Sequence, residues 1–188
     1  MNRQLTLVRH SLPEIKKDLP AREWLLSEEG KARARRLANV LKSHGLDLIA
    51  TSNEPKAVET AQILAGQYCL KPLLIAGLHE HERRLTPYLS KPDFEAVVRE
   101  FFEKPDILVF GDETADQAQE RFAGAVHSIL SENKNSKIAI VTHGTVISLF
   151  VSRLTGKSGF KIWSELGLPC FVVLDMQSKE LIALQNIS

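Results

Sequence analysis

The hydrophobic pattern of the chain contains two kinds of segment. Short apolar runs rich in Leu, Ile and Val are typical of buried strands. They occur at residues 5–8, 46–50, 71–76, 138–142, 170–175 and 181–185. Longer segments in which apolar residues recur every three or four positions predict amphipathic helices. These segments cover residues 27–44, 55–65, 93–103, 114–130 and 145–154, with a further short helix inside 158–168.

Residues with special backbone or capping properties mark several of these boundaries. Ser27 and Thr114 stand where helix N-caps are expected, and Asn53 is predicted to cap the helix that has Pro55 in its first turn. Gly45 is expected to end the first helix. Residues 77–91 contain a dense polar run and are predicted to form an irregular loop.

The order of these elements predicts the fold class. Strand and helix alternate in the first half of the chain, which is the pattern of a parallel sheet with right-handed crossovers. The last two strands are close enough to pair as a hairpin around Gln177 and Ser178. We therefore expect one α/β domain over residues 1–188, a three-layer αβα fold with a mostly parallel central sheet and an antiparallel edge strand.

Composition narrows the possible partners. Of the 188 residues, 44% are hydrophobic and 25% are charged, and the formal net charge is +1. This balance gives no reason to expect a nucleic acid or a membrane as partner, and no apolar run approaches bilayer length. The chain enters a strand without a secretory apolar segment, so we expect a soluble cytoplasmic protein. Cys69 and Cys170 lack metal-ligand spacing and are expected to be reduced core thiols.

Two of the predicted buried strands end on a histidine. Arg9 and His10 follow the first strand, and His143 and Gly144 follow the strand at 138–142. Because the chemistry of open α/β sheets lies outside the carboxyl ends of the strands, both histidines are expected at one site. A neutral histidine can act as a nucleophile, and an arginine can bind an anionic group.

The residues around these strand ends resemble a known family, the histidine phosphatase (phosphoglycerate mutase-like) superfamily. Leu7-Val8-Arg9-His10 resembles its opening Arg-His-Gly motif, and Val141-Thr142-His143-Gly144 resembles its second histidine motif. The segment TSNEPKAVETA, residues 51–61, is similar to the family's Ser-Ser-Pro…Arg-Ala…Gln-Thr-Ala stretch, and Leu78-His79-Glu80 is similar to its acid-bearing loop. All four segments occur in the family's order.

This resemblance implies a role for each matched residue. His10 is expected to form a phosphohistidine, with Arg9, Lys56 and His143 binding the phosphoryl group. Gly144 would allow close backbone approach, and Glu80 would act as general acid and base. The family chemistry implies no metal and no other cofactor. The expected partner is a small phosphorylated substrate or a phosphoprotein, and the sequence leaves the oligomeric state open.

Two departures from the family pattern matter. Ser11 replaces the glycine after the first histidine, and its hydroxyl is predicted to bind phosphate; Lys56 replaces an arginine, which keeps the charge but loses bidentate geometry. Glu82 competes with Glu80 as the acid, since an extended loop points both to the same side. We favour Glu80 because it follows Leu78 as in the family pattern.

Other polar residues carry weaker expectations. His81, Arg83 and Arg84 either line the mouth of a pocket or belong to an exposed loop. Glu113 resembles part of a Gly-Glu-Ser turn of the family, although capping of the following helix explains it adequately.

The sequence as a whole predicts a metal-independent phosphomonoester hydrolase. The alternatives are a mutase-like phosphotransferase and a non-catalytic module that binds a phosphorylated ligand or a protein, which Ser11 and Lys56 would suggest.

Overall fold

The computed structural model describes residues 4–84 and 89–188. Within them, six strands form one sheet: β1 (Gln4–Arg9), β2 (Leu48–Thr51), β3 (Leu73–Leu74), β4 (Ile138–Thr142), β5 (Cys170–Asp175) and β6 (Glu180–Asn186). The same residues contain six α-helices: α1 (Glu28–Leu41), α2 (Pro55–Gly66), α3 (Lys91–Glu103), α4 (Ala115–Glu132), α5 (Gly144–Thr155) and α6 (Gly159–Glu165). Among these helices, none is long and apolar enough to cross a membrane.

The strand order places β1 and β4 side by side in the middle of the sheet. The order is β3-β2-β4-β1-β5-β6. The first four strands of this order run parallel, whereas β5 is antiparallel to β1 and to β6. The predicted three-layer α/β fold with a mostly parallel sheet is confirmed, as is the closing hairpin. The one-domain organisation stays a prediction.

Successive side chains of each strand point to opposite faces of the sheet, so each strand contributes to the core on both sides. Leu7 and Ile140 project into a core shared with α4 and α5, while their neighbours Val8 and Val141 project into the opposite core, shared with α1 and α2. All five residues of β4 are buried. A strand covered by helices on both faces must be apolar throughout, which is why it appears in the sequence as a continuous apolar run.

Most predicted boundaries lie within a few residues of the observed ones. The first helix ends at Leu41 and continues as a 3₁₀ turn, Lys42–His44, before Gly45 with φ 61°. Thr114 caps α4 in a full capping box with Gln117. The helix α3 begins at Lys91, two residues before the expected start, because the Ser90 hydroxyl accepts from the Asp93 N–H.

Three local expectations are wrong. The strand predicted at 71–76 is reduced to two exposed leucines at the sheet edge, because Pro72 has no N–H to donate to a ladder. Asn53 does not cap α2, whose N-cap is Glu54. Cys69 is exposed in a turn with φ 54° rather than buried, whereas Cys170 lies in the core as expected. Of the predicted loop 77–91, residues 85–88 lie outside the described residues.

Candidate active site

Three of the predicted site residues meet where β1 and β4 end. Arg9 is paired in register with Thr142, and the His10 N–H donates to the Thr142 carbonyl at 2.9 Å. The next residue of each strand is therefore a histidine, and the His10 and His143 ring centroids are 5.1 Å apart. Parallel pairing of two strands thus brings together residues that are far apart in sequence.

The environment of His10 determines which ring nitrogen carries its proton. Its Nδ1 lies 2.7 Å from the Ser11 carbonyl oxygen. A carbonyl can only accept, so Nδ1 carries the proton and Nε2 carries a lone pair. The ring is 6% exposed. Burial, followed by the neighbouring His143 and Lys56, holds the pKa of His10 well below its ordinary value, so the ring is neutral.

His143 is buried completely, and only one of its two ring nitrogens has a hydrogen-bond partner among the described residues. Its Nε2 lies 2.8 Å from the Ser52 hydroxyl oxygen, which also accepts from the Glu54 N–H. The Ser52 hydroxyl can therefore donate its own hydrogen to Nε2, and in that tautomer the ring proton lies on Nδ1. That Nδ1 has no hydrogen-bond partner among the described residues. Burial, and after it Lys56, lowers the pKa of His143 well below its ordinary value. A neutral His143 can thus donate to a phosphoryl oxygen through Nδ1.

Arg9 lies next to His10, and the start of α5 determines its position. Its Nη1 donates to the Leu166 carbonyl, while its buried Nε has no partner among the described residues. A Cβ added to Gly144 would lie 2.9 Å from Arg9 Nε and 3.0 Å from Cζ. Gly144 therefore leaves the space that the guanidinium occupies. Burial lowers the pKa of Arg9, but arginine remains charged at neutral pH.

Glu80 lies at the positive end of α5. Its two carboxylate oxygens accept from the N–H groups of His81, at 2.9 Å, and of Thr145, at 3.2 Å. Burial acts to raise the pKa of Glu80, but His143, Arg83 and the His81 N–H hold it below its ordinary value. The free protein therefore holds a carboxylate here. A bound phosphoryl dianion would oppose that charge and favour uptake of a proton.

Glu82 lies on the outer side of the same loop. Its carboxylate contacts His79 Nε2 at 3.2 Å and Arg84 at 3.0 Å. It makes neither the contact with α5 nor the contacts with the site histidines that Glu80 has. The geometry supports the preference for Glu80 as the acid.

A single arginine on α4 holds the loop that carries Glu80. Arg121 donates to the carbonyls of Gly77, His79 and Glu80 at 2.8, 3.0 and 3.2 Å. Its guanidinium is paired with Glu113, whose carboxylate also accepts from the Glu82 N–H. Glu113 thus helps to fix the loop that carries Glu80, a role beyond the helix capping expected from the sequence.

Lys56 lies in the site, but its charge is already paired. Its Nζ donates to Glu54 Oε2 at 2.5 Å and to the Ala21 carbonyl at 2.6 Å. Glu54 in turn accepts from the Glu80 N–H at 2.9 Å and lies 3.4 Å from His143 Nε2. An ammonium has three donors, so one N–H of Lys56 is left for a phosphoryl oxygen.

Ser11 does not reach the site with its side chain, contrary to the prediction that its hydroxyl binds phosphate. Ser11 is fully buried; its hydroxyl donates to the Gly30 carbonyl at 2.7 Å, and its N–H donates to Thr60. The residue replaces a glycine without backbone strain, since its φ is not positive. Its contribution is the carbonyl that fixes the His10 tautomer.

The site opens into a cleft of about 600 Å³. Its floor contains the histidines, Arg9, Lys56, Glu54 and Glu80, and its rim is formed by aromatic and charged side chains, namely Trp24, Phe94, Trp163, Arg22, Glu23, Glu82, Arg83 and Arg84. In the part of the chain that the structure describes, no group of three or more His, Cys, Asp or Glu is placed to hold a metal ion.

The structure adds residues that sequence reasoning missed. Ser52 and Glu54 lie inside the matched segment 51–61, but nothing in the pattern distinguishes their side chains from ordinary polar residues. Arg121 lies on a helix face eight residues after Glu113, and only this spacing of two helical turns connects the pair in the sequence.

Known proteins resemble this chain in sequence. The sequence profile of the histidine phosphatase superfamily (branch 1) matches residues 5–185. The chain is 28% identical over 137 residues to the probable phosphoglycerate mutase GpmB of Cronobacter sakazakii, covering 70% of this chain and 63% of that protein. It is 27% identical over 141 residues to the uncharacterized phosphatase PhoE of Bacillus subtilis, covering 75% and 67%. The chain thus spans about two thirds of these relatives.

Solved structures share the fold at low identity. A phosphoserine phosphatase from Entamoeba histolytica, in complex with 3-phosphoglyceric acid, superposes with a TM-score of 0.80 at 19% identity, covering 98% of both chains. A mycobacterial glucosyl-3-phosphoglycerate phosphatase complexed with VO3 gives 0.79 at 19% identity, covering 99% of this chain and 100% of that one.

Proposed function

Because the chain belongs to the histidine phosphatase superfamily (branch 1), we propose that it hydrolyses phosphomonoesters through a phosphohistidine on His10. The observation that carries the proposal is the buried, neutral His10, whose Nε2 is free while Nδ1–H is held by the Ser11 carbonyl. Such a ring can attack phosphorus without a separate base.

In the first step, the Nε2 lone pair attacks phosphorus, and the bond between phosphorus and the ester oxygen breaks. Glu80, protonated when the dianion binds, gives its proton to the departing oxygen. Arg9 and His143 Nδ1–H face the charge that develops on the phosphoryl oxygens, with the N-terminus of α5 beside them. These groups are in place before substrate arrives, so no reorganisation is needed.

In the second step, the Glu80 carboxylate takes a proton from water as the water oxygen attacks phosphorus. The bond between phosphorus and nitrogen breaks, its electron pair returns to Nε2, and inorganic phosphate leaves. Glu80 is then protonated again for the next cycle. One carboxyl group thus serves as acid and base in turn. The scheme uses only groups of this chain and a water molecule, so the proposal includes no metal or other cofactor.

The proposed substrate is a small phosphorylated metabolite. The solved neighbours are named for phosphoserine and glucosyl-3-phosphoglycerate, both small phosphomonoesters, and a cleft of about 600 Å³ suits molecules of this size. A mutase would use the same first step and return the phosphoryl group to an organic acceptor. A module that only binds its ligand would release no phosphate.

Trapping the intermediate tests the proposal. Brief mixing with 4-nitrophenyl phosphate and an alkaline quench should leave acid-labile phosphate on His10, and peptide mapping should locate it there. A chelator should leave turnover intact. The matched control is His127→Asn, which removes a histidine from α4 and should retain labelling. Turnover that disappears with chelator and returns with a divalent ion would overturn the mechanism, as would label that survives His10→Ala.

A further inference from the structure

Part of the cleft is lined by a loop that folds back on itself. Residues 13–24, called the wall loop below, contribute side chains from both of its ends and from its middle to the lining of the cleft. The base of the loop is closed by an antiparallel bridge between Pro13 and Leu26. Trp24 also holds the loop together, since its Nε1–H donates to the Lys16 carbonyl at 2.9 Å. The wall loop is therefore a compact unit at the mouth of the site.

A lysine on the floor of the site binds the middle of this loop. The Ala21 carbonyl accepts from Lys56 Nζ at 2.6 Å, and Ala21 is the first residue of a 3₁₀ turn within the wall loop. Lys56 lies in the first turn of α2 and is only 5% exposed. The same nitrogen donates to Glu54 Oε2 at 2.5 Å. Hydrogen bonds from a charged donor are stronger than neutral ones, so the buried ammonium attaches the wall loop firmly to the site.

All the hydrogen bonds of Lys56 pass through one nitrogen. An ammonium has three N–H groups, and the contacts with Glu54 and Ala21 leave one of them for a phosphoryl oxygen. In the free protein, water can accept from this third N–H and exchange freely. A dianion held by Arg9 and His143 is a fixed acceptor, so it would restrict the movement of Nζ and with it the Ala21 carbonyl. A guanidinium would instead spread its donors over several nitrogens.

We propose that Lys56 is a positioning residue that couples the phosphoryl site to the wall loop. A dianion bound in the site fixes the ammonium, and the ammonium fixes the Ala21 carbonyl. The phosphoryl group, which all substrates share, thereby orders a surface of the cleft that is available to the rest of the substrate. The coupling is reciprocal, so a loosened wall loop binds the dianion more weakly. This inference rests on the proposed function for its ligand and adds a response of the cleft to that ligand.

Amide hydrogen exchange, with and without saturating inorganic phosphate, tests the coupling. The N–H groups of Glu23 and Trp24 donate to the carbonyls of Pro20 and Ala21 at 2.8 and 3.4 Å, so their exchange reports on the wall loop. In the wild type, phosphate should slow this exchange. In Lys56→Met, exchange without phosphate should be faster by roughly 10- to 100-fold, the range for loss of a hydrogen bond to a charged group. Phosphate, at a concentration shown by calorimetry to saturate the variant, should not restore the protection.

Two controls make the outcome specific. Lys31→Met is the matched variant, because Lys31 lies on α1 and pairs with Glu28 at 2.7 Å, and it should behave as the wild type. Exchange in β4 should be the same in Lys56→Met and the wild type.

Three results would overturn the coupling. They are a wild-type wall loop that phosphate does not protect, protection by phosphate that persists in Lys56→Met, and unchanged exchange in ligand-free Lys56→Met. A wild type that shows the response to phosphate but does not turn over 4-nitrophenyl phosphate would instead reject the hydrolase function and uphold the coupling.

Discussion

The close contact between Gly144 and Arg9 allows a test that separates catalysis from stability. Gly144 is the first residue of α5, and its φ is not in the left-handed region. Alanine is therefore compatible with the backbone there. Its Cβ, however, would lie 2.9, 3.0 and 3.3 Å from Nε, Cζ and Nη2 of Arg9. Gly144→Ala should consequently displace the guanidinium and leave the helix intact.

The size of the effect follows from these distances. Carbon–nitrogen contacts of this kind are comfortable from about 3.5 Å, so the guanidinium must move by at least roughly 0.5 Å. Misplacement of a catalytic group by about 1 Å can cost on the order of 10²-fold in rate. We therefore expect kcat/KM to fall roughly 10- to 100-fold. Stability should change little, since the preference for alanine over glycine in helices, at most about 1 kcal/mol, is opposed by displacement of the guanidinium from the Leu166 carbonyl.

The assay compares two glycine-to-alanine variants. For Gly144→Ala, kcat/KM on 4-nitrophenyl phosphate and the thermal midpoint are measured together. Gly124→Ala is the matched control, because Gly124 is an exposed position of α4 and an added Cβ there would meet nothing within 4 Å. It should gain stability and keep full activity. Wild-type kcat/KM in Gly144→Ala would show that Arg9 does not need its observed position.

Three further predictions concern titratable groups. Glu80→Gln should slow the hydrolysis of esters with poor leaving groups by about 10²–10⁴-fold but leave activated aryl phosphates little affected. Glu82→Gln should slow neither class of ester. If steady-state kinetics show this selective loss in Glu82→Gln and not in Glu80→Gln, the acid is Glu82. Because the pKa values of buried His10 and His143 lie well below the ordinary value, neutral His10 should sustain kcat/KM to well below about pH 6.5. As pH decreases below about 6.5, these histidines become protonated in the unfolded chain before they do so in the folded protein, so the free energy of unfolding should fall. Urea unfolding at pH 7.5 and 5.5 measures this fall. His143→Gln should make the free energy of unfolding less dependent on pH.

The sequence was sufficient to predict the sheet and the meeting of the two histidines. Strands β4 and β5 were predicted at their observed bounds, because a strand covered on both faces leaves an uninterrupted apolar run. The convergence of His10 and His143 follows from one rule about the carboxyl ends of parallel strands. Periodicity is less informative at an exposed edge, where β3 retains only two paired residues.

The polar framework of the site could not be predicted in the same way. A hydroxyl can hydrogen-bond in several directions, and the sequence does not say which. Ser11 and Ser52 both adjoin the site, yet one donates to the Gly30 carbonyl in the interior and the other contacts His143. Only the packing of α1 and α2 decides between these outcomes, since it sets which acceptor each hydroxyl reaches. Arg121 positions the loop of Glu80 by donating to backbone carbonyls, and the sequence gives even less indication of such contacts.

Lys56 illustrates how a neighbour can change the meaning of a conservative replacement. The sequence presents it as a cation in place of an arginine, with its charge retained. The structure pairs that charge with Glu54, two residues earlier, at 2.5 Å. Because Glu54 also accepts from the Glu80 N–H, the pair links the cation to the acid loop while adding little net charge to the site. In the proposed mechanism, Arg9 therefore supplies most of the uncompensated positive charge on the phosphoryl group, and Lys56 contributes a single remaining N–H together with a fixed position for Glu80.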